Sequence, residues 1–190
     1  MRLLLLEHDL TDVFGVRVLH SHFSLQENEK LVELNHQSTG WNLGSGDGLM
    51  DGRVVPKSWR LIKGKGLMPY EFTFRPLNTD RGIDLTEPRY QAFLTDFVAA
   101  VEAAELGDSI ALSVRPAQPA GIEITMRSST IFFPEGTYQY DPNKAIVTGW
   151  YFNSKSAGIC ADVPNEKPIL RAMCWMEDGG KGKIGREGSM

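Results

Sequence analysis

Two histidines stand one residue apart in the segment Leu19-His20-Ser21-His22-Phe23. On a β-strand, residues two positions apart point to the same face, so the two imidazoles would lie side by side. Neutral imidazoles at that separation can bind one transition metal, commonly zinc, iron, nickel or copper. An imidazole beside a carboxylate can instead take up and return protons near neutral pH. The segment therefore predicts metal-assisted or acid–base chemistry.

The partner of the histidines depends on how the chain folds back. Residues 14–23 and 30–35 are strand-like and have the spacing of an antiparallel hairpin with a long loop. In one register Glu33 lies across from His20 and completes a histidine–carboxylate pair. A slip of one residue brings His36 to the histidine face instead. The sequence leaves both registers open.

A structural role for the histidines is a further alternative. Val16 and Val18 share the strand face of His20 and His22, so this face can equally be the core side of the sheet. A buried histidine often does no more than hydrogen-bond to a main-chain carbonyl. Three roles thus stay open: packing, acid–base or ligand contact, and metal binding.

Two resemblances concern this segment. His20, His22 and Glu27 have the spacing His-x-His-x4-Glu, which resembles the first half of the cupin metal motif; no histidine follows His36 to supply the second half. The resemblance implies a divalent transition metal held by His20, His22 and Glu27. Over residues 14–36 the chain is also similar to small uncharacterised fungal proteins with a Leu-His-x-His-Phe segment, which implies a fungal, specialised-metabolism context.

Other side chains are candidates for contacting a small molecule. The glycine-rich residues 40–52 predict a mobile surface loop in which Trp41 could cover a pocket. This loop lacks the lysine and hydroxyl of a phosphate-binding loop and the context of a dinucleotide fingerprint, so no nucleotide cofactor is indicated. Arg127 and Tyr138 could anchor a polar group, and Trp150 could stack on a flat ligand.

One long helix is predicted over residues 86–106. Thr86 can cap it, Pro88 suits its first turn, and Gly107 can end it. Apolar residues recur at three- and four-residue steps: Tyr90, Phe93, Phe97, Val101 and Ala104. That face predicts a helix that packs on a sheet.

The rest of the chain is rich in short strands, about nine in all, with residues 3–6 as one of them. Residues 121–127 alternate, with Ile122 and Ile124 on one face and Glu123 and Thr125 on the other, which is typical of a half-buried antiparallel strand. Because crossover helices are missing, a parallel α/β fold is excluded. The predicted fold class is α+β, with a curved antiparallel sheet or partial β-barrel packed on one helix and able to hold a small molecule.

Composition bounds the class of protein. The 190 residues are 42% hydrophobic and 23% charged, which favours one globular domain over residues 1–176, with a disordered tail over 177–190. A net charge of -4 disfavours nucleic-acid binding. Two cysteines are too few for a disulfide scaffold, and no apolar run could span a membrane. These features predict a cytoplasmic protein.

Together, these patterns predict an enzyme of isomerase, cyclase or lyase type acting on a small organic molecule. His20 or His22 would serve as general base or metal ligand, with Glu33 or Glu27 as the partner. The alternatives are a non-catalytic small-molecule-binding protein and a structural or interaction domain with packed histidines. The sequence specifies neither the substrate nor the oligomeric state.

Overall fold

The structure is a computed structural model that describes residues 1–21, 23–43, 53–75, 82–117, 120–141 and 143–152, and the main chain of residues 170–175. In these ranges the chain forms two helices and ten strands. The helices are α1 (Arg2–Glu7) and α2 (Pro88–Ala103). The strands are β1 (Phe14–Val18), β2 (Glu29–Leu34), β3 (Gln37–Asn42), β4 (Val54–Ile62), β5 (Gly66–Phe74), β6 (Ile110–Val114), β7 (Gly121–Met126), β8 (Ser129–Pro134), β9 (Ile146–Tyr151) and β10 (Leu170–Trp175).

The ten strands form one sheet in the order β1-β6-β4-β5-β2-β3-β8-β7-β10-β9, and β9 pairs with β1 to close a barrel. The predicted curled sheet is thereby confirmed. The sheet is mixed rather than purely antiparallel, because β2–β5 and β7–β10 are parallel pairs. Each parallel pair joins strands far apart in the chain, which parallel pairing requires.

The outer face of one side of the barrel is apolar and buried. Phe14, Leu112 and Trp59, from β1, β6 and β4, belong to one core cluster with Tyr90, Phe93, Phe97 and Val101 of α2. Phe14 stacks on Phe93 with ring centroids 5.6 Å apart. The helix face expected from the periodicity is therefore the buried face, except that Ala104 lies beyond the helix.

The prediction of a single long helix needs two corrections. Residues 3–6 belong to α1, not to a strand, since a short leucine run has no periodicity that separates strand from helix and leucine favours helix. The second helix begins at Pro88 and ends at Ala103, and Glu105 beyond it has a φ of 55°. The left-handed turn that ends the helix therefore comes before Gly107.

The predicted hairpin between residues 14–23 and 30–35 is wrong. Strand β1 ends at Val18 and pairs with β6 and β9, whereas β2 pairs with β3 and β5. The partners of Arg17 across the ladder are Ala111 and Gly149, which are remote in sequence. Neither hairpin register proposed for His20 therefore exists. Strand β1 pairs with strands distant in sequence instead of forming the hairpin that a short connection favours.

Strand alternation sends a second set of residues into the barrel. Val16 packs under α2, so Arg17 beside it points to the interior.

The predicted tail over residues 177–190 and the glycine-rich residues 44–52 lie outside the described residues; residues 40–42 belong to β3. In the ranges that the structure covers, no helix has the length and apolar character needed to cross a membrane.

Candidate functional site

A cavity of about 510 Å³ opens into the interior of the barrel. Its lining includes four charged side chains from four different strands: Arg17, Glu33, Lys57 and Glu123. Each of the four follows or precedes a residue whose side chain points outward. Strand alternation therefore directs these charged side chains into the barrel. The site is therefore a charged cavity inside the barrel rather than a groove on its surface.

Arg17 joins two carboxylates across the interior. Its Nη2 donates to both carboxylate oxygens of Glu123, at 2.8 and 3.0 Å, and its Nη1 donates to Glu71 Oε2 at 3.1 Å. The three side chains are only 8–12% exposed. Charge-assisted hydrogen bonds of this kind are short and strong, and the paired contact to Glu123 also fixes the plane of the guanidinium.

Lys57 extends this network toward β2. Its Nζ lies 2.7 Å from Glu33 Oε2 and 3.8 Å from Glu71 Oε2. Ser58 adds a long hydrogen bond of 3.4 Å to the same Glu71 oxygen. Glu71 thus lies between two cations, and Glu33 stands at the more exposed end of the chain of charges.

The charges of this network are retained by mutual pairing. Burial raises the pKa of Glu71, but Arg17 and Lys57 outweigh that effect and hold the pKa below its ordinary value. Burial lowers the pKa of Lys57, but the carboxylates of Glu33 and Glu71 outweigh it and raise the pKa. The pKa of Arg17 is likewise raised, because Glu123 and Glu71 overcome its burial. These three groups are therefore ionised at neutral pH.

Tyr151 forms part of the cavity wall beside this network. Its hydroxyl lies 3.3 Å from the Ser113 hydroxyl, and burial raises its pKa although Arg17 opposes the shift. The phenol is therefore protonated at neutral pH and able to donate. Its ring lies over Gly15, where a Cβ atom would be 2.2 Å from Tyr151 Cδ1, so glycine is needed there. A Cβ atom at Gly121 would likewise clash with the ring of Phe132, another lining residue.

His20 lies two residues past the end of β1, beside Glu123. Its Nδ1 donates to the Val18 carbonyl at 2.8 Å, and its Nε2 is 3.8 Å from Glu123 Oε2. Tyr70 donates to the main-chain oxygen of His20 at 3.2 Å. His20 is not among the described residues that line the cavity. It contacts the charged network through Glu123 and not through Glu33.

The other histidine-segment candidates separate in the structure. His22 lies outside the described residues, so the predicted metal set is not tested. Glu27 is exposed in the turn before β2, whereas Glu33 lines the cavity. Within the ranges described, no three histidine, cysteine, aspartate or glutamate side chains are grouped as a metal would need.

Two predicted substrate contacts lie on the outer face of the sheet. Trp41 packs against Phe74, 5.9 Å away, in a second apolar cluster that also contains Val32. Trp150 is the ladder partner of Val16 and so shares the face opposite to Arg17. Neither side chain lies beside the cavity.

The remaining two predicted contacts also lie away from the cavity lining. Arg127 is exposed in the turn between β7 and β8, with a φ of 24°. Tyr138 is half-buried and packs against Phe133, with ring centroids 4.9 Å apart. Phe133 neighbours the cavity residue Phe132 in β8 but faces the other side of the sheet.

The residues at the centre of the site were not predicted from the sequence. Arg17 lies between Val16 and Val18, and Glu123 lies between Ile122 and Ile124. A single charge between two aliphatic residues is the signal that could have found them. The alternation in residues 121–127 separates Glu123 from Ile122 and Ile124, but it does not show that the face of Glu123 is the barrel interior.

The arrangement can bind polar groups and exchange protons. Glu33 offers a carboxylate as a proton acceptor, and Tyr151 offers a phenol as a donor, on the same cavity. Arg17 and Lys57, paired with three carboxylates, present both signs of charge to a polar ligand. Comparisons of the chain with family models, with curated proteins and with solved structures return no match.

Proposed function

We propose that this chain is a small-molecule-binding barrel protein that holds a polar organic ligand in its interior cavity. The observation that carries the proposal is a cavity of about 510 Å³ lined by buried, ionised side chains. Binding sites for small molecules commonly enclose about 300–1,000 Å³ and fix the ligand with a few placed polar groups.

The energetics of the interior support this proposal. A barrel of about eight strands is just filled by its own side chains, so ten strands leave room for a ligand. Buried ion pairs contribute little net stability, and apolar residues of similar volume are often as stabilising or more so. A charged interior around open space is thus better explained by a polar ligand than by stability.

A pair of fluorescent dyes tests whether the cavity binds small molecules. The probes are anilinonaphthalene sulfonate, which is anionic, and phenylnaphthylamine, its uncharged counterpart without the sulfonate. We expect at least one dye to bind with one site per chain. Ala117 is exposed at the cavity edge, so Ala117→Trp should block the cavity and weaken binding at least about tenfold.

The matched control is Ala99→Trp, the same substitution at an exposed position of α2 away from the cavity. It should bind the dyes as the unmodified protein does. Circular dichroism shows whether each variant is folded. If neither dye binds stoichiometrically, or if both variants bind equally well, the proposed function is wrong.

A second candidate is an enzyme of isomerase, cyclase or lyase type. Glu33 and Tyr151 border one cavity, and together they could move a proton within a bound molecule. Glu33 would take a proton from one carbon and Tyr151 would donate one to another atom. Transfer through solvent would then return the proton from Glu33 to Tyr151. His20 would be a positioning residue acting on Glu123.

Metabolite profiling tests the enzymatic candidate. The protein is incubated with a cell extract of small organic molecules, and compounds are followed by chromatography with mass detection. An isomerase converts one compound into another of equal mass, and Glu33→Gln should abolish that conversion. Glu27→Gln, on an exposed glutamate, is the control. Equal conversion by both variants would rule out this role of Glu33.

The metal site, the cytoplasmic location and the fungal context remain predictions from the sequence.

A further inference from the structure

Among the described ion pairs that border the cavity, that of Lys57 and Glu33 is the most accessible, with side chains 15% and 32% exposed. An ammonium group has three donors, and a carboxylate has about four acceptor positions. One of each is used when Lys57 Nζ donates to Glu33 Oε2 at 2.7 Å. Across the described ranges, Glu33 Oε1 has no hydrogen-bond partner, and Nζ has no second one because Glu71 Oε2 is 3.8 Å away. The pair therefore has donors and acceptors left for a ligand.

A charged ligand group would have to compete with the existing ion pairs. Lys57 is already bonded to Glu33. Arg17 is bonded to Glu123 and Glu71. Separating a buried ion pair is strongly unfavourable, because it leaves a charge without its partner. A hydroxyl group carries no charge and can donate one hydrogen bond while it accepts another. Neighbouring hydroxyls can therefore bind to Lys57 and Glu33 while the pair stays intact.

An aromatic wall faces the same cavity. Phe132 of β8 and His36, in the turn from β2 to β3, both line it, and their ring centroids are 5.8 Å apart. The Phe132 main-chain nitrogen donates to the His36 carbonyl at 2.7 Å, which holds the two residues together. Strand β3 separates β8 from the strand of Glu33, so these two strands are about 10 Å apart at about 4.8 Å per strand. A molecule of one or two six-membered rings can therefore reach both walls.

The chemistry of the two walls matches that of a sugar. The hydroxyls of a sugar form a polar edge, and its C–H groups form an apolar face that suits the partial negative charge on the face of an aromatic ring. We propose that the ligand is an uncharged sugar, with its hydroxyls bound to Lys57 Nζ and Glu33 Oε1 and its C–H face packed on Phe132. This inference rests on the proposed function, because it names the ligand class of the same cavity.

Titration calorimetry with uncharged sugars tests this inference. The probes are glucose, galactose, mannose, xylose, maltose, lactose and cellobiose, each at up to about 10 mM, so that a Kd of about 1 mM is detected. We expect at least one sugar to bind with one site per chain and to displace any dye bound in the cavity. Ala117→Trp should weaken binding of that sugar at least about tenfold, and Ala99→Trp should not.

Two charged sugars test the expectation that the ligand is neutral. Glucuronate has a carboxylate and glucosamine an ammonium group on the frame of glucose. Because either charge would compete with the existing ion pairs, both should bind no more tightly than the uncharged sugar that binds best. If one of them binds more tightly than every uncharged sugar, the inference is wrong.

Two variants test the contacts themselves. Glu33→Gln replaces the carboxylate by an uncharged amide, and Phe132→Leu removes the aromatic face. Each should weaken binding of the sugar about three- to tenfold. Binding of phenylnaphthylamine, which has no hydroxyl group, should be unchanged in Glu33→Gln. If Glu33→Gln does not fold, Phe132→Leu provides the test.

The controls make the same substitutions outside the cavity. Glu27→Gln changes an exposed glutamate, and Phe133→Leu changes the neighbouring phenylalanine on the outer face of β8. Both should bind the sugar as the unmodified protein does. The inference is wrong if Glu33→Gln or Phe132→Leu binds the sugar as tightly as its control. If Ala117→Trp blocks the dyes but no sugar binds, the proposed function stands and this inference is wrong.

Discussion

Arg17 and Glu123 meet inside the barrel through two hydrogen bonds of 2.8 and 3.0 Å, although β9 and β10 separate their strands in the sheet. On the other side, Arg17 reaches Glu71, from which β6 and β4 separate it. One guanidinium thus bridges the interior in both directions. Such contacts require the sheet to be closed, so the network of charges and the barrel depend on each other.

Removing the central cation should destabilise the protein strongly. Arg17→Met leaves the buried carboxylates of Glu71 and Glu123 without their main partner, and breaking a buried pair costs about 3–5 kcal/mol. Urea unfolding measures the free energy of unfolding. Arg89→Met is the control, because its side chain is 61% exposed and such pairs contribute about 0–1 kcal/mol. Equal stability of the two variants would contradict the structural role of Arg17.

Acid should weaken the fold through Glu71. Burial raises the pKa of Glu71, but Arg17 and Lys57 lower it below the ordinary value of 4.5. The stabilisation that ionised Glu71 gives the fold is therefore present above that pH and is lost as the pH falls through the lower pKa of the folded state. Urea unfolding between about pH 3 and pH 7 should show this decline. Glu71→Gln should flatten it, whereas Glu27→Gln, on an exposed glutamate, should not. An unchanged slope in Glu71→Gln would refute the assignment.

Alkali should weaken the fold through Lys57. Burial lowers its pKa, but Glu33 and Glu71 raise it above the ordinary value of 10.5. The stabilisation is therefore complete below that value and is lost as the pH rises through the higher folded pKa. Lys57→Met should reduce this loss in urea unfolding at alkaline pH. Lys63→Met, at an exposed turn, is the comparison that should keep the wild-type slope.

A methyl group at Gly15 should disturb the cavity wall. The added Cβ would lie 2.2 Å from Tyr151 Cδ1 and 2.6 Å from the Trp150 carbonyl oxygen, so both the ring and the main chain must move. Overpacking of this kind costs about 1–3 kcal/mol, measurable by urea unfolding. At Gly107 the nearest atom would be 3.8 Å away, so Gly107→Ala should change stability by less than about 0.5 kcal/mol. If Gly15→Ala is equally neutral, Tyr151 does not occupy the described position.

Part of the site is visible in local patterns. The step of three and four residues through Phe93 and Phe97 predicts the buried face of α2, because helix geometry places such residues together. Alternation through Ile122, Glu123 and Ile124 predicts that the glutamate faces away from the isoleucines. Glu33, predicted as the carboxylate partner of His20, lines the cavity, but it pairs with Lys57 and not with His20.

The sequence by itself determined the curled, strand-rich sheet, the helix that carries an apolar face, and which residues of a strand share a side. Only the tertiary structure decided that the side with Arg17 and Glu123 is the enclosed one. The physical reason is that alternation distinguishes two faces of a strand without saying which is inside. Strand partners are also chosen over long separations in sequence, so the meeting of Arg17 with Glu71 and Glu123 follows from closure of the barrel and from no local pattern.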